Sequence, residues 1–201
     1  MEERTFRHTI TNEETAQLPA AQFAGPIVVV DNEKQIEAAC RRLTAARIVG
    51  FDTETRPSFK AGVTHRVALL QLSAPDCCYL FRLCRMRFGK PLIKLLENRE
   101  VLKIGADVAG DIRSLRVLRR FRPDGFVDLQ QIAPEWGIEE KSLRKLSAIV
   151  LGKRISKAQR LSNWEAANLT EQQKLYAATD AWICPEIYHT LQNTEKPLCK
   201  K

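Results

Sequence analysis

Histidine is scarce in this chain and cysteine follows no pattern. Only three histidines (8, 65 and 189) occur in 201 residues, and none has ligand spacing to another or to a cysteine pair, which leaves no basis for a structural zinc site. The six cysteines (40, 77, 78, 84, 184 and 199) form neither a Cys-x-x-Cys pair nor a regular framework. They read as reduced thiols of a cytoplasmic protein, and cysteine-based catalysis is not expected. No apolar run approaches the ~18 to 20 residues that a bilayer span requires, so a membrane protein is not expected. The first residues, Met1-Glu-Glu-Arg-Thr-Phe-Arg-His8, are acidic where a secretory signal would be basic, and no apolar stretch follows them. Internal repeats and low-complexity segments are missing as well.

What remains is an ordinary globular composition, 44% apolar and 28% charged, in a chain long enough for one substantial core. One domain is expected over residues 25–192, preceded by an extension (1–24) and followed by a disordered tail (193–201). The net charge of +8 suits an anionic partner such as nucleic acid. Basic residues gather at Arg113, Arg116, Arg119, Arg120 and Arg122, where a solvated helix face explains them equally well. They gather again at Lys153, Arg154, Lys157 and Arg160.

Periodicity divides the chain into alternating elements. Pro26–Asp31 is β-branched and leads through Asn32, a plausible N-cap, into a helix ending near Leu43. Strands at Arg47–Asp52, Arg66–Ser73 and Cys78–Phe81 make an antiparallel meander. From Pro91 onward the order is helix to Glu97, strand Val101–Gly105, helix Asp107–Leu118, strand Phe126–Asp128, then helices over 129–136 and 143–151. Such alternation implies a mixed α/β sheet covered on both faces. The last helix opens with a capping box, Thr170 and Gln173, and runs to about Leu191. Pro185 within it cannot donate to the Ala181 carbonyl, which predicts a bend one turn beyond Asp180.

The acidic residues carry the chemistry. Asp52 and Glu54, in Phe51-Asp-Thr-Glu-Thr55, lie two apart on a strand and therefore share a face. Two carboxylates this close need a compensating cation. Tyr176 and Asp180, in Tyr176-Ala-Ala-Thr-Asp180, lie four apart and share one face of the last helix. Alone, either pair has a bland explanation: an acidic strand end, or a core tyrosine with its hydroxyl at the rim. Together with Asp111, in Lys103-Ile-Gly-Ala-Asp-Val-Ala-Gly-Asp111, they meet the needs of two-metal phosphodiester cleavage, where several carboxylates hold two divalent ions.

Three segments in order are similar to the motifs of the DEDD superfamily of 3′-5′ exonucleases, tyrosine branch, which includes ribonuclease D and the Werner-type exonuclease domains. They are Ile48-Val-Gly-Phe-Asp-Thr-Glu-Thr55 followed by Val67-Ala-Leu-Leu-Gln-Leu72, then Lys103 through Leu115, then Leu175-Tyr-Ala-Ala-Thr-Asp-Ala181. Leu161-Ser-Asn-Trp164 through Tyr176 resembles the Werner-type domain in particular. The resemblance implies a ribonuclease H-like mixed sheet flanked by helices. It also implies that Asp52 bridges two metals, Glu54 and Asp180 hold the one that activates water, Asp111 supports the second, and Tyr176 orients the attacking water. Mg²⁺ or Mn²⁺ are the expected ions, since an all-oxygen site suits hard cations. Asp107 lies four before Asp111, but the motif spacing selects Asp111; Asp107 suits the first turn of a helix.

The implied activity is release of 5′-mononucleotides from the 3′ end of single-stranded or 3′-recessed nucleic acid. Likeness to the Werner-type domain leans towards DNA over RNA; oligomeric state is not specified. Lys153, Lys157 and Arg160 are candidates for phosphate contact. Asn163 and Trp164 either approach the nucleic acid or fix the loop before the last helix, with packing the favoured role for Trp164. Gln71 either faces the substrate or only a neighbouring strand. Competing functions are a catalytically silent nucleic-acid-binding domain on the same fold and a phosphoesterase acting on free nucleotides.

Overall fold

Period-two alternation in the strands and a few small residues in one helix decide how the layers stack. A computed structural model describes residues 5–197. Strands β1 (Ile27–Val30), β2 (Ile48–Thr55), β3 (Val67–Ser73), β4 (Cys78–Phe81), β5 (Leu102–Gly105) and β6 (Phe126–Asp128) form one mixed sheet, ordered β1-β4-β3-β2-β5-β6. The expected antiparallel meander is β2-β3-β4, while β1–β4, β2–β5 and β5–β6 pair in parallel. Parallel neighbours require long connections, supplied by helices α2 (Glu33–Ala46), α3 (Lys90–Leu96) and α4 (Val108–Leu118). The strand expected to end at Asp52 continues to Thr55, so both carboxylates of the first motif lie on regular strand. Asp52 is opposite Gln71 and Glu54 opposite Leu69.

The two faces of the sheet differ. Val49, Phe51, Leu70, Leu72, Tyr79 and Phe81 point into a core closed by Ile36 and Leu43 of α2, Leu92 and Leu96 of α3, and Leu115 of α4. The other face, with Gly50, Asp52 and Glu54 on β2, is covered by α7 (Glu171–Gln192), flanked by α5 (Leu129–Ile132) and α6 (Leu143–Leu151). The helix expected over 129–136 tightens after α5 into a 3₁₀ turn at Ala133–Trp136, where Pro134 enters.

Helix α7 lies directly on β2. Ala177, Ala178 and Ala181 are fully buried, and a Cβ at Gly50 would stand 1.8 Å from the Ala181 carbonyl oxygen. That carbonyl is the one Pro185 leaves without its usual helical donor. The helix is continuous through Pro185 from Glu171 to Gln192, with the expected capping box at Thr170 and Gln173. No helix among the described residues is long and apolar enough to cross a membrane.

Residues 5–24 are built into the fold. Their helix α1 (Asn12–Gln17), opened by a Thr11–Glu14 capping box, was not foreseen. Ala20 then bridges in parallel with Arg154, and the Phe23 N–H donates to Thr179 Oγ1 at 3.1 Å. Part of the expected disordered tail is docked too: Trp136 Nε1 donates to the Thr194 carbonyl at 2.8 Å, and Lys196 Nζ lies 4.9 Å from the Trp136 ring centroid. Residues 198–201 of that tail lie outside the described residues.

Candidate metal centre

The carboxyl ends of β2, β5 and β6 open beside α7, and the acidic residues collect there. Asp52 and Glu54 project from β2 towards α7, which returns Asp180; one ligand oxygen from each of the three lies within 4.8 Å of the others. Asp111 comes from the opposite layer, on α4. Thr53, whose side chain alternates to that layer, donates its Oγ1 to Asp111 Oδ1 at 2.6 Å. One strand therefore addresses both helices: Asp52 and Glu54 meet α7, and Thr53 holds α4's carboxylate.

Burial without a cation makes the charged forms costly. Desolvation raises the Asp52 carboxyl well above its usual range, and the charge of Asp180 adds to it. Glu54 is pushed up to about 10 by burial and by Asp52, Asp180 and Asp111, with Arg160 opposing. Asp111 rises to about 8, again from burial first and Asp52 second, against the Thr53 hydrogen bond. Asp180 rises to about 7 through burial, offset in part by the hydrogen bond from Tyr176. Burial and the neighbouring carboxylates push the Tyr176 phenol up, which keeps it protonated. An all-carboxylate set that disfavours its own ionisation fits a hard divalent cation.

Asp107 takes a different position from Asp111. It is exposed, sits at the N-cap of α4 with φ of 63°, and makes no capping hydrogen bond of its own. The cap comes instead from Asp128 at the end of β6, whose carboxylate accepts from the N–H groups of Val108 at 3.0 Å and Gln130 at 2.9 Å. A strand ending in aspartate just before a helix signals such a cap, yet sequence gave no sign that it would serve two helices. Lys103, in the same motif, is wholly buried and donates to the Asn98 and Val101 carbonyls at 2.8 Å each.

The candidates for substrate contact separate. Arg160 lies close enough to act on Glu54, while Lys153 and Lys157 are exposed on the same loop with no side-chain hydrogen bond or ion pair recorded. Asn163 is exposed but works locally: its Oδ1 accepts from the Glu165 N–H, and its carbonyl from Gln173 Nε2. Trp164 corrects the stacking alternative. It is 0% exposed and its ring centroid lies 6.0 Å from that of Tyr176, so it has no free face for a base and instead packs behind the tyrosine. Arg82 fastens this loop through the Ala166 and Ala167 carbonyls. A cavity of about 510 Å³ adjoins Tyr176 and Asp180, walled by Ala21, Gln22, Arg154 and Gln159. The N-terminal wall was not legible, because only the fold brings residues 20–22 to α7.

Fold and site together define a ribonuclease H-like sheet with a carboxylate cluster that could hold a divalent cation. Residues 27–195 match the family model described as 3′-5′ exonuclease, and the chain belongs to that family, within the DEDD superfamily. Over 188 residues it is 40% identical to the mouse bifunctional 3′-5′ exonuclease/ATP-dependent helicase WRN, an alignment covering 88% of this chain and 13% of the mouse protein. The chain thus spans a small part of that relative. Among solved structures, the Nibbler EXO domain of Aedes aegypti superposes with a TM-score of 0.75 at 24% identity, covering 86% of this chain and 91% of that one. A GMP complex of Trypanosoma brucei RNase D gives 0.74 at 25% identity, covering 85% and 58%.

Proposed function

We propose that this protein is a cytoplasmic, metal-dependent 3′-5′ exonuclease that hydrolyses the terminal phosphodiester of single-stranded or 3′-recessed nucleic acid, DNA ahead of RNA, and releases 5′-mononucleotides. The observation that carries the reading is the convergence of Asp52, Glu54 and Asp180 within 4.8 Å, with Tyr176 on the same helix face and Asp111 held alongside by Thr53. Family membership supports the direction of attack. The order of DNA before RNA rests on the resemblance of Leu161 through Tyr176 to the Werner-type domain, and free cysteines suit a reducing compartment.

Asp52, Glu54 and Asp180 would hold one divalent ion, with Asp52 and Asp111 serving a second; Mg²⁺ and Mn²⁺ both suit oxygen donors. Such ions supply Lewis acidity at the phosphate and lower the pKa of water. The Tyr176 hydroxyl, kept protonated by burial and by Asp180, orients rather than abstracts a proton. Arg160 supplies positive charge beside Glu54 for the incoming phosphate, and Lys153 and Lys157 extend that charge along the loop. The cavity beside Tyr176 gives the strand end room.

The test is a digestion of end-labelled oligonucleotides, with free and blocked 3′ ends, in Mg²⁺, Mn²⁺ or chelator. A ladder from free ends only, abolished by chelator, is expected. Matched single-stranded DNA, single-stranded RNA and recessed duplex rank the substrates, and DNA should be degraded fastest. Binding without degradation in either ion would leave a silent nucleic-acid-binding domain as the answer.

A further inference from the structure

Gln71 is a buried amide with nothing to bond. It is 0% exposed in β3, and neither its Nε2 nor its Oε1 has a partner among the described residues. Elsewhere Lys103 is served by two carbonyls, Ser147 by the Lys153 carbonyl, Thr179 by that of Leu175, and Gln173 by that of Asn163, whereas Arg82 Nε and Trp164 Nε1 share the want of a partner among the described residues. An unmet buried polar group costs about 1–3 kcal/mol. The rest of β3 through Leu72 is apolar and buried, so a leucine or methionine here would avoid that cost.

The sheet register shows what the amide faces. Gln71 is directly opposite Asp52 on one side and Leu80 on the other. All three therefore point to the face covered by α7, where Ala177, Ala178 and Ala181 offer no side-chain hydrogen-bonding group and Trp164, in the same cluster, offers only a donor. Asp52 is the polar side chain in register. Opposed residues of an antiparallel pair have Cβ atoms about 4.5–5.5 Å apart, within the span of a glutamine side chain.

We propose that Gln71 is a positioning residue: its amide N–H groups donate to the ionised Asp52 carboxylate and fix its orientation for the divalent cation. The inference rests on the exonuclease reading for its catalytic consequence, but not for the binding event. Its test is a Mn²⁺ titration by calorimetry on the wild-type protein and on Gln71→Met, which keeps the side chain's length and removes its donors. Partners that orient a metal-binding carboxylate are worth roughly 10- to 100-fold in affinity or activity. The methionine variant should bind Mn²⁺ roughly 10-fold more weakly and lose a similar factor in kcat, with KM for an oligonucleotide unchanged. Its metal-free thermal stability should equal or exceed that of wild type. A merely structural glutamine predicts lower metal-free stability in Gln71→Met with Mn²⁺ affinity and kcat unchanged in the folded protein, so wild-type Mn²⁺ affinity in that variant overturns the proposal. If Gln71→Met does not fold, Gln71→Asn, whose amide falls one methylene short, is titrated in its place and should also bind more weakly. If wild type binds Mn²⁺ but cleaves nothing, the exonuclease reading fails while the titration still decides the role of Gln71.

Discussion

The two faces of the central strand β2 do opposite work. Phe51 points into an apolar core and meets Phe126 edge-on, ring centroids 5.1 Å apart, whereas Asp52, one residue on, enters a layer of carboxylates under α7. Between faces the difference is one of tolerance. The apolar side is close-packed and stabilises through buried area. On the α7 side, burial of mutually repelling acids and an unbonded amide is retained for what those groups can hold.

The sharpest way to break the comparison is Asp52→Ala. It should remove several kcal/mol of barrier lowering, roughly a 10³-fold loss in kcat on labelled oligonucleotides, while metal-free melting temperature holds or rises because a desolvated carboxyl set against Asp180 is gone. Phe51→Ala should do the reverse, costing about 3–5 kcal/mol of stability in denaturant unfolding with near-normal kcat in the fraction that remains folded. Gly50→Ala should join the two outcomes. Its methyl has no room against the Ala181 carbonyl, so overpacking should cost about 1–3 kcal/mol, and displacement of α7 should weaken Mn²⁺ binding by carrying Asp180 away. Tyr176→Phe should lower kcat roughly 10- to 100-fold through lost orientation, with Mn²⁺ affinity in calorimetry near wild type.

The mildest test changes no residue. Asp180, Asp111 and Glu54 have folded-state pKa values of about 7, 8 and 10, above their ordinary range near 4. At these three groups the folded protein therefore binds more protons than the unfolded chain between those limits, and the stability they contribute falls as pH rises through them, with Lys103, lowered to about 8 by burial, opposing above that pH. In chelator, melting temperature should decline from about pH 4 towards pH 10. Added Mg²⁺ should reverse that decline most strongly at the alkaline end, where the carboxylates are free to bind it. A pH profile unaltered by Mg²⁺ would count against metal occupancy.

Much of this was legible in order along the chain. Alternation placed β2, β3 and β4 and put Asp52 and Glu54 on one face, since strand period is a property of the backbone. Helical spacing paired Tyr176 with Asp180 for the same kind of reason. The capping residues Asn32 and Thr170 marked helix starts through local hydrogen bonds. Less was visible where partners are distant. Strand period puts Thr53 on the face opposite Asp52 and Glu54, but nothing local says that α4 would bring Asp111 to it. Trp164 was open between stacking and packing, a choice that depends on which layer closes over it. Residues 1–24 read as an extension because the bridge from Ala20 joins Arg154, a residue far along the chain.

Sequence by itself determined the identity of the acids, the elements that carry them and the family to which they belong, because periodicity, capping and motif spacing are set by neighbours within a few residues. Tertiary structure alone decided their company. It brought Asp180 from one layer and Asp111 from the other to the end of a single strand. It buried Trp164 behind Tyr176, made residues 20–22 a wall, and left the Gln71 amide in register with Asp52 and without a hydrogen-bond partner among the described residues. Those outcomes depend on helix-to-sheet distance and strand register, which are fixed only when the two cores pack.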